Sequence, residues 1–342
     1  MKKDRYRVLL ILLFFTILAV IFSGCFGSEE DKITRMRLVM DTHVTVTMYG
    51  ISESEGDAIA KEAFAEMERL EGIFSRHIEG SDIEHINRAA GREWVEVGPE
   101  VILVIEEALA ISRLTEGVFD PTVGPLLEVW GFGNEEDEQQ RPSSEEIEEA
   151  LLQVDYEKVE INEEESSVFL AKEGMQLDLG GIAKGFIVDR GQKVIEESGV
   201  EGSFVNAGGD INITGSKTDG EPWKIAVQDP RDPQKWFATL QIDQGSVATS
   251  GDYQRFFEED GERYHHIIDP ESGWPADGGI ISVTVLGPDT LAADAYSTAV
   301  FVLGIERGLE LLETLSDMEG VLIDKEGDIH YTSGLDEKLE IL

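Results

Sequence analysis

Between residues 203 and 286 five segments of strand character follow one another, at 203–205, 211–214, 223–228, 238–242 and 280–286, with no helical period between them. Strands strung together without intervening helices point to an α+β chain with mixed or antiparallel sheets and flanking helices. The rest of the sequence supplies those helices. Residues 57–74 carry Ile59, Ala63, Phe64, Met67, Leu70 and Phe74 at the three-four spacing of an amphipathic helix. Pro99 sits at a first-turn position and opens a helix through Leu114. Ser143 followed by Glu146 is a capping-box signature for a helix over 145–154, and a further helix is predicted over 292–303. Residues 37–49 place Val44, Val46 and Met48 on one face with Thr between them, which reads as one half-buried strand. A short strand is expected at 94–97, a hairpin at 156–162 and 168–172 around an acidic turn, and final strands at 321–323 and 329–332. No short repeat and no low-complexity linker divides the chain.

The N-terminus bears on location. Lys2, Lys3, Arg5 and Arg7 precede the apolar run 8–23, broken only by Thr16, and Ser23-Gly24-Cys25 closes it. A basic segment, an apolar segment and small residues before the break describe a secretory signal. Cys25 is the one cysteine of the chain, so it makes no internal disulfide. Directly after Ser-Gly it resembles the lipid-modified cysteine of bacterial lipoproteins, with Phe22 where Leu is usual; the alternative is an uncleaved anchor helix, short for a bilayer span. Either reading puts the remainder outside the cytoplasm, on the outer face of the cytoplasmic membrane or in the periplasm. The expected organisation is a signal peptide at 1–24, a tether at 25–34 and a folded domain at 35–342.

Composition removes whole classes of partner. Acidic residues number 70 against 28 basic ones, a formal charge of −42. Nucleic acid is excluded on this ground, since binding it requires Lys and Arg to neutralise phosphates, and anionic lipid surfaces are disfavoured for the same reason. The acidic runs at 134–138, 145–149 and 163–165 read as solvated surface.

Two distant segments carry the chemistry. Residues 177–190, LDLGGIAKGFIVDR, read as a strand, a Gly-Gly turn and a helix start, an arrangement that aims free backbone N–H groups at a phosphate. Residues 293–300, ADAYSTAV, set Asp294 and Thr298 four apart on a helix, so both oxygens face one way. That pair suits a hard cation such as Mg²⁺, which takes about one or two protein oxygens together with substrate phosphates. Other loops are rich in small and polar residues: NAGGD at 206–210, ATSGD at 248–252, YHHIIDPESGWP at 264–275, and TEGVFDPTVG at 115–124 followed by Trp130-Gly131-Phe132. Singly these are ordinary turn chemistry, and Trp130 and Phe132 ordinary core.

In their order, Met40-Asp41-Thr42, the 119–125 segment with WGF behind it, DLGGIAKGF, NAGGD, ATSGD, HHIIDPESG and ADAYSTA resemble the FAD:protein FMN transferases, the ApbE family. The resemblance covers roughly residues 35–335. It implies a two-lobed architecture with FAD in the cleft and an exported, often lipid-anchored enzyme that uses FAD as substrate with Mg²⁺. Family members transfer FMN to a Thr or Ser hydroxyl of a target protein and release AMP. Their targets include subunits of Na⁺-pumping NADH:quinone reductases and the related Rnf complexes, and some members mainly hydrolyse FAD.

Carried onto this sequence, the resemblance puts the metal on the side chains of Asp294 and Thr298 and the carbonyl of Ala183. It puts FAD contacts at Met40, Val118, Phe119, Asp120, Gly180, Phe186, Ile268 and Ser297, with His77 where relatives often carry a stacking Tyr. Phosphoryl transfer asks for positioning and charge neutralisation. The N–H groups of residues 180–184 are expected to hold the pyrophosphate, and Lys184 either adds a positive contact or is a solvated helix residue. A base must reach the acceptor hydroxyl. His266 is the candidate because imidazole titrates near neutral pH, and His265, its neighbour in an extended segment, is expected to face solvent. Asp210 serves binding or loop architecture. The competing classes are a FAD pyrophosphatase using the same site and an exported FAD-binding lipoprotein without turnover. A flavin oxidoreductase lacks support: no G-x-G-x-x-G follows the first strand and no dithiol is available.

Overall fold

The computed structural model describes residues 32–133, 139–217 and 220–342. The signal segment, Cys25, most of the tether and the acidic run at 134–138 lie outside these residues.

The main sheet contains eight strands, β1 (Lys32–Val39), β2 (Thr42–Tyr49), β6 (Gly202–Ala207), β7 (Asp210–Gly215), β10 (Gly245–Gly251), β13 (Ile280–Gly287), β14 (Glu319–Asp324) and β15 (Ile329–Tyr331), hydrogen-bonded in that order. Every neighbouring pair is antiparallel, as the strand-after-strand pattern requires. Between β2 and β6 the chain inserts helices α1 (Glu53–Phe74), α2 (Asp82–Ala89), α3 (Pro99–Leu114), α4 (Gly124–Val129), α5 (Ser144–Leu151) and α6 (Ala183–Glu197), with the small sheet of β3 (Val95–Glu96), β4 (Val159–Asn162) and β5 (Ser167–Leu170). Strands β8 (Trp223–Asp229), β9 (Asp232–Ile242) and β16 (Leu339–Ile341) form a third sheet, and β11 (Phe256–Glu259) and β12 (Glu262–His265) a hairpin. Helices α7 (Thr290–Leu303) and α8 (Ile305–Thr314) connect β13 to β14.

Side-chain alternation decides what each face of the main sheet covers. Val44, Val46 and Met48 of β2 and Val205 and Ala207 of β6 join α1, α6 and α7 in one core. On the opposite face Tyr49, Ile211, Ile213, Val247 and Val321 pack against Trp223, Val227, Ala238 and Leu240 of the third sheet. Because Ile211 and Ile213 face that sheet, Asp210 and Asn212 of the same strand face the helices. A separate cluster of Leu126, Trp130, Phe132, Ile147, Tyr264 and Ile268 supports the β11–β12 hairpin. There Trp130 and Phe132 are core, as expected, and Trp130 Nε1 donates to the Gly273 carbonyl at 2.8 Å.

Several boundaries differ from the sequence expectation. Residues 37–49 are two strands, not one: Met40 and Asp41 both take left-handed backbone, φ 55° and 53°, and reverse the chain. Asp41 is of a type that tolerates this conformation but Met40 is not, so the turn carried only a weak sequence signal, and the Glu71 carboxylate accepts the Met40 N–H at 2.9 Å. Strand β1 begins at Lys32, so residues 32–34 belong to the sheet and not to a tether. Residues 248–251, expected as loop, are strand β10; their small side chains alternate, with Ser246, Ala248 and Ser250 turned to α7. The capping box of Ser143 and Glu146 is present, and the acidic residues at 145, 146, 148, 149 and 163–165 are exposed.

Candidate active site

The site forms where α6 meets α7. Residues 177–179 are not a strand; Gln176 makes a lone parallel bridge to Val123, and Asn87 grips the Leu177 backbone, accepting its N–H at 2.7 Å and donating to its carbonyl at 2.9 Å. The turn that follows spends most of its N–H groups internally. Gly180 donates to Asp178 Oδ1 at 2.8 Å, and Ile182 and Ala183 donate to the Leu179 carbonyl at 3.0 and 2.8 Å. Only the Gly181 and Lys184 N–H groups bond nothing within the described residues, so the cradle expected over 180–184 reduces to those two.

Helix α7 is fixed to α6 from its first residue. Asp189 of α6 accepts the N–H groups of Thr290 and Leu291 at 2.9 to 3.0 Å, and Asp289 accepts that of Ala292 at 2.8 Å. These are the helix-start donors that otherwise lack partners. Gly185 allows the close approach: a Cβ there would lie 2.2 Å from the Thr290 carbonyl oxygen. At this contact the Gly185 N–H donates to Asp294 Oδ2 at 3.0 Å. One turn further on, Thr298 Oγ1 lies 3.3 Å from Ser250 Oγ. A Cβ on Gly181 would stand 3.3 Å from Thr298 Oγ1 and 3.4 Å from the Phe119 ring, so the glycine turn rests on both. The fold thus brings Phe119, Gly180, Gly181, Ala183, Lys184, Asp294, Ser297 and Thr298 together across more than a hundred residues of sequence.

Electrostatics bind the group further. Lys184 Nζ is 2.7 Å from Oδ2 of Asp210, which is wholly buried. Lys184 is therefore no solvated helix residue, and Asp210 serves as its counter-charge. Burial pushes the Asp294 carboxyl up to about 8, helped by the nearby Asp210 charge and opposed by Lys184 and the Gly185 N–H. Burial also raises Asp210 against the pull of Lys184, while the two carboxylates outweigh burial and raise Lys184. The donor set fits a hard divalent cation. Asp294 Oδ1 accepts no hydrogen bond from the described residues, a hydroxyl stands one turn away, and positive charge would relieve the excess of buried carboxylate. Among the described residues no three His, Cys, Asp or Glu side chains cluster as a metal site.

His266 lies in the loop after β12. Its Nδ1 is 3.3 Å from the Arg255 carbonyl, which can only accept, so Nδ1 carries the proton and Nε2 keeps a lone pair. Burial, then Arg255 and His265, push this imidazole down to about 3, and Lys184 is near enough to add to the depression. The ring is neutral at pH 7, but not for the reason of ordinary titration. His265 does not face solvent. It is 7% exposed, donates from Nε2 to the Ala276 carbonyl at 3.2 Å, and meets Phe301 of α7 edge-on. The two rings do point to opposite sides; α7 covers the side expected to be open.

The other expected contacts are spread around this centre. Asp120 is 8% exposed, and its oxygens accept from Thr122 N and Oγ1 and from Tyr156 N at 2.6 to 3.1 Å, so its carboxylate serves loop architecture. Val118 is half-buried beside Phe119. Phe186 packs edge-on against Phe74, and Ser297 is fully buried on Ser250 and the Asp294 carbonyl. Ile268 belongs to the Trp130 cluster, Met40 to the left-handed β1–β2 turn, and His77 to the exposed turn after α1. Sequence reasoning missed Asn87, Asp189 and Ser250. Asp189 and Ser250 lie within the flagged segments 177–190 and 248–252, and Asn87 follows the S-x-x-E helix start of Ser81 and Glu84. A surface cavity of about 650 Å³ lined by Glu196, Gln244, Glu319 and Lys338 among others holds none of the site residues.

Residues 40–322 match the ApbE family. The FAD:protein FMN transferase of Klebsiella pneumoniae (strain 342) is 35% identical over 307 residues, which span 90% of this chain and 93% of that protein. Among solved structures, the ApbE protein of Thermotoga maritima superposes with a TM-score of 0.83 at 37% identity, covering 89% of this chain and 98% of that one. The flavin transferase ApbE from Vibrio cholerae gives 0.82 at 29% identity, with 90% and 99% covered.

Proposed function

Because the chain belongs to the ApbE family and is a flavin transferase that draws on FAD, we propose that it moves FMN from FAD to a Thr or Ser hydroxyl of a protein acceptor, releases AMP, and requires Mg²⁺. The observation that carries this reading is the contact of α7 with the glycine turn, where Asp294 receives the Gly185 N–H and Thr298 underlies Gly181. Asp294, Thr298 and the Ala183 carbonyl would hold the cation. Bound there, Mg²⁺ would neutralise the pyrophosphate and the departing phosphate of AMP.

The chain's own groups do the remainder. Gly181 and Lys184 N–H groups are free to meet phosphate oxygens, and Lys184 Nζ, held by Asp210, supplies fixed positive charge. The acceptor oxygen attacks the phosphorus on the riboflavin side and forms the new P–O bond. The bond to the adenylate oxygen breaks, and AMP leaves with that oxygen. His266 Nε2 takes the hydroxyl proton. Phosphate charge beside it raises its low basicity, since an opposite charge favours the imidazolium.

Acceptors of the class found in Na⁺-pumping NADH:quinone reductases and Rnf complexes fit an exported enzyme. Export by residues 1–24 and lipid attachment at Cys25 belong to the same proposal. Incubation with FAD, Mg²⁺ and an acceptor domain, followed by intact mass, tests it. Acceptor mass increased by one FMN supports transfer. AMP released without that increase makes the protein a pyrophosphatase, and neither product makes it a FAD binder.

A further inference from the structure

The segment leading into the glycine turn belongs to no sheet, and Asn87 is only one of its holds. Another is Arg76, just past the end of α1, whose side chain is 5% exposed. Its Nε lies 2.8 Å from Asp178 Oδ2, and its Nη1 donates to Gln176 Oε1 at 2.9 Å and to the Gly124 carbonyl at 3.4 Å. One guanidinium thereby ties the end of α1 and the start of α4 to the approach of the turn. Asp178 passes the hold on, because its other oxygen accepts the Gly180 N–H and its own N–H donates to the Pro121 carbonyl at 2.8 Å.

This arrangement exceeds what packing alone needs. A buried guanidinium is costly to desolvate and is retained where its planar fork fixes several acceptors at once, which a lysine ammonium cannot do. Nε and Nη2 of Arg76 are both buried without a hydrogen-bond partner among the described residues, so Nε holds Asp178 as a close ion pair, Nη1 holds Gln176 by a hydrogen bond, and the placement comes at the expense of two donors.

We infer that Arg76 is a positioning residue for FAD. Through Asp178 it fixes Gly180, and so sets the direction in which the two spare N–H groups of the turn, those of Gly181 and Lys184, meet the pyrophosphate. The inference rests on reading that turn as the FAD site, and it does not require Arg76 to touch FAD.

A double-mutant cycle with Arg76→Met and Asp178→Asn tests it, read as FAD affinity by flavin fluorescence and as KM and kcat for FAD. Arg76→Met is expected to raise Kd and KM for FAD roughly tenfold while kcat at saturating FAD changes less than about twofold. The double variant should lose no more than the worse single one, and Arg76→Lys should recover part of the affinity. A Kd unchanged in Arg76→Met, or losses that multiply in the double variant, overturns the inference, as does lowered thermal stability with unaltered FAD affinity. If Arg76→Met does not fold, Arg76→Lys in the same cycle decides the question. Failure of the unaltered protein to bind FAD would instead overturn the reading of the turn, and the inference with it.

Discussion

Gly185→Ala is the sharpest test of the α6–α7 contact. A Cβ at this position would lie 2.2 Å from the Thr290 carbonyl oxygen, 2.6 Å from its carbon and 2.9 Å from Leu291 Cα. All three are backbone atoms at the start of a helix pinned by Asp189 and Asp289, so no side chain can swing away. The helices must part by roughly 1 Å to restore ordinary van der Waals separation. The 3.0 Å bond from the Gly185 N–H to Asp294 then stretches beyond hydrogen-bond range. Overpacking costs about 1–3 kcal/mol, and loss of a buried hydrogen bond about 1–3 kcal/mol more. Replacing glycine within a helix returns about 0.4–1 kcal/mol. The net loss is about 3 kcal/mol, or roughly 6 °C in melting temperature.

Two neighbouring glycines calibrate the effect. A Cβ on Gly180 meets only the tip of the Asp178 carboxylate, at 2.9 Å, and one on Gly181 meets Thr298 and Phe119 at 3.3 and 3.4 Å, where small shifts suffice. Thermal melts should therefore rank Gly185→Ala well below both. Titration calorimetry with Mg²⁺ should show weakened metal binding in the same variant, because Asp294 has lost its orienting donor. A Gly185→Ala protein that melts within 1 °C of the unaltered one and binds Mg²⁺ equally well would refute the argument.

Asp294→Ala should abolish Mg²⁺ binding and AMP release with the fold intact, and Thr298→Val should weaken both less, since water can replace a hydroxyl ligand; AMP release unchanged in purified Asp294→Ala would remove the metal assignment. His266→Ala should lose FMN transfer while FAD binding persists. With its imidazole pushed down to about 3 from the ordinary 6.5, the ring is neutral across pH 5 to 8. The pH profile of kcat/KM, which reports the protein before FAD binds, should therefore show no acid limb near 6.5 in the unaltered protein that His266→Ala removes. The same depression makes the neutral ring's contribution to stability full above pH 6.5 and lost as pH falls toward 3. Cys25→Ser should release the protein from the membrane fraction or stall its processing without altering catalysis by the described domain. A fully cleaved Cys25→Ser protein retained in the membrane would speak for another anchor.

What the sequence made legible was local. Pro99 and the box of Ser143 and Glu146 act within one helical turn, and both predict their helices. The spacing of Asp294 and Thr298 is likewise a property of one turn. The failures arise where distant groups decide. Residues 248–251 look like loop because small residues there have no intrinsic strand preference; they are strand because β7 and β13 pair on either side and α7 needs small neighbours. Met40 and Asp41 turn without glycine because Glu71, thirty-one residues away from Met40, accepts an N–H of the turn. Residues 177–179 have strand composition and no strand partner, because Asn87 satisfies the Leu177 backbone first.

The composition, with 70 acidic residues, gave no hint of which acids matter, and burial supplies the distinction. Three aspartates stand close together between the main sheet and its helices, Asp189, Asp210 and Asp294, and burial raises the pKa of each. Asp189 is committed to the N–H groups that open α7 and to Asn212 Nδ2 at 2.7 Å, and Asp210 is committed to Lys184. Asp294 has no cation of the chain against it as Asp210 does, and its Oδ1 accepts nothing from the described residues, beside a threonine hydroxyl and a turn with two unspent N–H groups. Burial raises the Asp294 carboxyl, the Asp210 charge adds to it, and a cation at the free oxygen would offset both. On that ground Mg²⁺ would be drawn to this carboxylate, in a protein whose surface offers carboxylates everywhere else.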